Sequence, residues 1–202
     1  TPAPIWLTGP IRLTHADGVT VLDGRVASAA TPPSSAPVGG SAASSTGMSW
    51  GTIGQSARNG LARAGLGELS SGWNGQLVVE VPATTAALGQ VMGLPPRAVM
   101  GFGAVTLVED GGQPSGQPSG SPTEATTGAS GSADPDAPAA AVRILVNPVT
   151  AGALSTSQAT LLLTHEAVHV ATAALGPPPA GRHWLSEGMA EWVALGSVPD
   201  QL

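Results

Sequence analysis

The stretch LLLTHEAVHVATAAL, beginning at Leu161, carries His165-Glu166-Ala167-Val168-His169 inside a run of Leu, Ala, Val and Thr, and two of the chain's 4 histidines lie within it. On a helix, residues four apart differ by about 40° in azimuth and ~6 Å along the axis, so His165 and His169 project from one face on successive turns. Two imidazoles so placed can converge on one ion, and zinc is the usual occupant of a histidine pair completed by a carboxylate. Glu166 adjoins the first ligand but is rotated off the coordination line. From there it can take a proton from water on the ion and pass it to a leaving amine. The ion itself would bring that water's pKa from near 16 down to roughly 7. The plain alternative is a pair of inert, hydrogen-bonded core histidines. A chance match is rare in a chain so poor in histidine, and buried polar groups left without partners are costly, whereas a metal satisfies all three residues at once.

The third ligand decides the class. A metzincin continuation, H-x-x-G-x-x-H, is excluded because Thr172 and Leu175 occupy the relevant positions, and no Asp lies between His169 and Asp200. Downstream instead lies HWLSEGMAEW (183–192), with Glu187 and Glu191 four apart. Glu187 can bind the metal directly, and Glu191, one turn on, can accept the other ring N–H of a ligand histidine and fix its tautomer. The competing readings are a helix-terminal charge for Glu187 and a solvated helix face for Glu191.

His165-Glu166-x-x-His169 followed by Trp184-Leu185-Ser186-Glu187-Gly188-x-Ala190-Glu191 resembles the gluzincin zinc metallopeptidases. The likeness is to thermolysin- and aminopeptidase-like enzymes, and to small bacterial cell-envelope members in particular. Their second motif reads W-L-x-E-G-x-A, with its Glu as third zinc ligand. The resemblance covers roughly residues 76–196. It implies an α+β, zincin-like fold, in which a mixed sheet packs on the H-E-x-x-H helix and on a following third-ligand helix. It also implies an edge strand beside the cleft that aligns an extended peptide. The chain departs from the family in three ways: the spacer from His169 to Glu187 is short, tyrosine is absent, and Leu202 comes soon after the third-ligand helix. Relatives often stabilise the oxyanion with a downstream Tyr or His. Here His183 is the spare imidazole for that task, or else a polar residue at a helix entrance. Relatives also carry a C-terminal helical subdomain as the second cleft wall, so against that pattern this sequence is either a fragment or has an unusually open cleft.

The elements that must position these residues are legible in outline. GVTVLDG (18–24), QLVVEVP (76–82), AVMGFGAVTLVED (98–110) and AVRILVNP (141–148) read as strands, the last two as a hairpin with a long tip. Residues 50–69 read as a helix weakened by Gly54 and Gly60, and 84–94 as a helix capped by Thr84 or Thr85. The site helix should span 155–176, with Ser155 and Gln158 in capping-box spacing, and the last helix 185–196, with Ser186 as N-cap. Trp184 and Trp192 are expected to anchor that last helix in the core rather than to touch substrate.

Composition sets the rest. Residues 27–47 and 111–140 are almost wholly Gly, Pro, Ser, Ala and Thr, so they are expected to be mobile. The expected organisation is an N-terminal strand region of unassigned role (1–26), a low-complexity linker (27–49), and a zincin-like domain (50–202) with an insertion at 111–140. The absence of Cys excludes disulfides and thiolate sites. A net charge of −6 with scattered arginines excludes a nucleic-acid stripe. With no apolar run of membrane-spanning length, no transmembrane segment is expected, and the start Thr1-Pro2-Ala3 suggests an extracytoplasmic segment, secreted or anchored to the envelope. The expected function is zinc-dependent hydrolysis of a peptide or protein substrate, with one Zn²⁺ on His165, His169 and Glu187, an open fourth position and Glu166 as base. Its rivals are a non-catalytic, zinc-braced envelope scaffold, closed by His183, His15 or Glu191, and a hydrolase of non-peptide amides.

Overall fold

The computed structural model of the chain describes residues 3–25, 49–66, 73–108, 142–176 and 178–198. The low-complexity stretch 27–47, the insertion 111–140 and the tip of the expected hairpin lie outside the described residues. Five strands form among the described residues: β1 (Arg12–Ala16), β2 (Val19–Asp23), β3 (Leu77–Val81), β4 (Ala104–Val108) and β5 (Val142–Val146). They make one sheet in the order β1-β2-β3-β5-β4. The central pairs β2–β3 and β3–β5 are parallel, and the outer pairs β1–β2 and β4–β5 are antiparallel. β1 is not legible in the sequence. All of its residues are exposed, so it lacks the alternation that burying one face imposes, and backbone pairing with β2 holds it. The N-terminal strand region, to which the sequence assigned no role, supplies β1 and β2 of this sheet.

Five α-helices complete the α+β architecture among the described residues: α1 (Trp50–Arg63), α2 (Thr85–Met92), α3 (Pro148–Ala153), α4 (Thr156–Thr172) and α5 (His183–Ser197). Thr84 caps α2, accepting from the Ala87 N–H at 3.1 Å. α3, missed in the sequence, starts where Asn147 accepts from the Val149 N–H and Pro148 takes the first turn. On one face of the sheet, Val19, Leu77, Val79 and Ile144 pack against Ile53 and Leu61 of α1, Leu163 and Val168 of α4, and Val193 of α5. On the other face, Leu145 and Val105 meet Ile5 and the α2 residues Leu88 and Val91. The glycines that weaken α1 as an isolated helix have a packing reason. A Cβ on Gly54 would lie 2.6 Å from Val19 Cγ1, and one on Gly60 would lie 3.2 Å from Thr164 Cγ2.

One buried ion pair is built into this frame. Glu80 on β3 and Arg143 on β5 meet at 3.1 Å, with side-chain exposures of 3% and 12%. Removing one member of such a pair takes a close counter-charge from the other in a low-dielectric interior. Glu80→Leu is therefore expected to destabilise the fold by roughly 3–5 kcal/mol, read as a lower midpoint in urea denaturation. An unchanged midpoint would show that Arg143 is satisfied without Glu80.

Candidate metal centre

Helix α4 begins with the expected capping box. Ser155 Oγ accepts from the Gln158 N–H at 3.3 Å, and Gln158 Oε1 accepts from the Ser155 N–H at 2.9 Å. Its last turns pass into a 3-10 turn, Ala173–Leu175, ended by Gly176 at φ 79°. From Ala159 to Ala171 every residue is buried except Leu161, Leu162, His165 and His169. These four lie on one stripe, and that stripe carries both imidazoles towards α5 and a cleft.

α5 corrects two expectations. It starts at His183 rather than Leu185, and Arg182 at its N-cap makes no side-chain cap bond, so Ser186 lies inside the helix. There Ser186 Oγ sits 3.3 Å from His169 Nδ1, a partner that sequence reasoning missed by treating Ser186 as a cap. Trp184 and Trp192 are not core anchors, being 67% and 69% exposed. The buried side of α5 is made instead by Ala190, Val193 and Ala194, which are small enough to let the helix lie close against its neighbours.

The ligating atoms converge. His165 Nε2 and His169 Nε2 are 3.3 Å apart, His165 Nε2 is 3.3 Å from Glu187 Oε2, and His169 Nε2 is 3.5 Å from Glu187 Oε1. Donors about 2.0–2.1 Å from an ion at tetrahedral angles lie roughly 3.3–3.4 Å from one another. The histidine pair fits that spacing, while Glu187 faces the two rings through different carboxylate oxygens; among the described residues these three are the one group of three or more candidate ligands for a metal ion. Glu191 Oε2 lies 3.6 Å from His165 Nδ1, the ring nitrogen not turned to the group. Each histidine therefore has a side-chain oxygen near its outer nitrogen, the arrangement that orients a ligating imidazole.

The other named residues fall around this centre. His183, 67% exposed at the start of α5, places Nε2 3.5 Å from Glu187 Oε1 and stands outside the ligand group. His15 is on β1, engaged with Thr20 Oγ1 at 2.9 Å, and takes no part. Glu166 is 8% exposed and borders the cleft. Thr106 Oγ1, on β4, donates to its Oε2 at 2.8 Å and lies 3.1 Å from its backbone carbonyl. Thr106 is a second residue that sequence reasoning missed, since a Thr in a strand carries no local mark of its partner.

Burial raises the Glu166 carboxyl above its ordinary range; the Thr106 hydrogen bond and His165 oppose this, and Glu187 adds to it. His169 is pushed below the usual histidine value, first by burial, with Glu187 opposing and His165 and His183 reinforcing. Both shifts favour the neutral forms, and a neutral imidazole is the ligating form.

A cleft of about 350 Å³ opens beside the centre. Its walls are Gly103 and Ala104 at the start of β4, Leu161 and Leu162 on α4, and Ala194 and Leu195 on α5, with His165, Glu166 and Glu191 bordering it. Asn147 fixes the approach to β4, donating through Nδ2 to the carbonyls of Val99 and Phe102, while its backbone N–H donates to Gly103. Among the described residues no helix is long and apolar enough to cross a membrane. Comparison with protein-family models, curated proteins and solved structures finds no match.

Proposed function

We propose that the chain is a zincin-like metallopeptidase, with one zinc ion held by His165, His169 and Glu187 and with Glu166 as general base. The observation that carries this reading is the convergence of His165, His169 and Glu187 within ligand distance of one another, beside a cleft that Glu166 borders. A purely structural zinc would be closed by a fourth protein ligand. A buried carboxyl at the cleft beside the three, that of Glu166, favours the catalytic reading over a zinc-braced scaffold.

When bound, the ion supplies Lewis-acid polarisation of the substrate carbonyl and brings the pKa of a coordinated water towards neutrality. Glu166 takes the proton as the water oxygen bonds to the carbonyl carbon. It then delivers that proton to the amine nitrogen as the C–N bond breaks. Among the described residues β4 is an edge strand of the sheet, and its outer side is the one that would pair with an extended peptide running into the cleft at Ala104. Glu191 and Ser186 orient the two imidazoles.

The test is zinc content and cleavage of a mixed peptide library before and after chelation. One zinc per chain is expected, with cleavage lost on chelation and restored by zinc. A chain that binds no zinc, or binds it and cleaves nothing, would overturn the proposal.

A further inference from the structure

Thr106 is a buried polar residue on the face of β4 that meets α4, a place where Val would serve the strand and the packing equally well. A hydroxyl there is costly unless it is hydrogen-bonded; its one proton goes to Glu166 Oε2 at 2.8 Å, with the Glu166 backbone carbonyl 3.1 Å away. One hydroxyl thus ties the carboxylate to strand β4. We propose that Thr106 is the positioning residue of the general base: it holds Glu166 Oε2 against β4 and leaves Oε1 as the oxygen that serves the cleft. This rests on the hydrolase reading above.

The consequence is a shared origin for two alignments. Among the described residues β4 is an edge strand of the sheet, and its first residue, Ala104, lines the cleft together with Gly103 just before it. Through Thr106, two residues further along, the same strand holds the base. A peptide paired to β4 would then be placed relative to Glu166 by one rigid element, without relying on the long glutamate side chain to find its own geometry. Misplacing a reacting group by about 1 Å can cost on the order of 10²-fold in rate.

The experiment compares Thr106→Val, which keeps the shape and removes the hydroxyl, with Thr106→Ser, which keeps the hydroxyl. In the zinc-loaded protein the Val variant should lower kcat by about 10–100-fold, with KM and zinc content unchanged, and Ser should restore most of the loss. A second readout needs no activity: a double-mutant cycle of Thr106→Val with Glu166→Ala, measured by denaturant unfolding of the metal-free chain. The two effects should be non-additive by about threefold or more in the folding equilibrium constant, beyond what independent sites show. An additive cycle, a Val variant with full kcat, or a Ser variant no better than Val would each overturn the proposal. A wild type that cleaves nothing would remove the hydrolase reading and the positioning role with it, whereas a non-additive cycle in that same protein would still establish the Thr106–Glu166 bond.

Discussion

Glu166→Gln is expected to keep one zinc per chain and to lower kcat by roughly 10²–10⁴-fold, the range that a positioned general base supplies. The amide matches the carboxylate in size, and its oxygen can still accept from Thr106 Oγ1, so the contact at 2.8 Å to β4 survives. The capacity to take a proton is lost. Glu166 is not among the converging donors, so the metal should stay. Zinc analysis paired with the steady-state kinetics of one cleaved peptide separates the possibilities. Retained turnover would remove Glu166 from the mechanism, and lost zinc would make it a ligand.

The second large effect is expected at the ligands themselves. His169→Ala removes an Nε2 that lies 3.3 Å from its neighbour on α4 and 3.5 Å from Glu187, leaving two donors of the three. Loss of an outer partner of a ligand costs about 10–100-fold in metal affinity. Ser186→Ala and Glu191→Gln, which touch only Nδ1 atoms, should fall within that range, and His169→Ala should exceed it. Chelator competition measures the affinities. Thermal unfolding with and without zinc gives a second reading, because an ion that binds only the folded chain raises its melting temperature. Zinc should therefore stabilise the wild type and fail to stabilise His169→Ala at the same concentration. Equal zinc affinity in the two proteins would show that the site is not built on this pair.

The chemistry at the centre was legible where it is local. The helix around His165, its capping box and the shared face of His165 and His169 depend on spacings of three and four residues, which a helix converts directly into geometry. Strands β2, β3, β4 and β5 were legible from their β-branched runs, with boundaries trimmed at each end. Strand β1 was not, because an exposed edge strand buries no face and leaves no pattern.

Around the centre the errors share one cause. Ser186 has the residue type of a cap, yet its role is set by α5 beginning at His183, which turns Ser186 towards a histidine 17 positions earlier. Trp184 and Trp192 have the residue type of core anchors, yet they face outward because Ala190, Val193 and Ala194 occupy the buried side. Thr106 and Glu166 are 60 positions apart and meet only because β4 packs on α4.

By itself the sequence determined that two imidazoles and a carboxylate share one helix, and that a second pair of carboxylates comes within reach downstream. Only the tertiary structure decided that Glu187 joins the two histidines, that Glu191 and Ser186 sit at the outer ring nitrogens, and that Thr106 of β4 meets Glu166. Periodicity within a helix is imposed by its own hydrogen bonds, residue by residue. The meeting of separate elements is imposed by how their apolar faces fill a common core, which no short stretch of the chain contains.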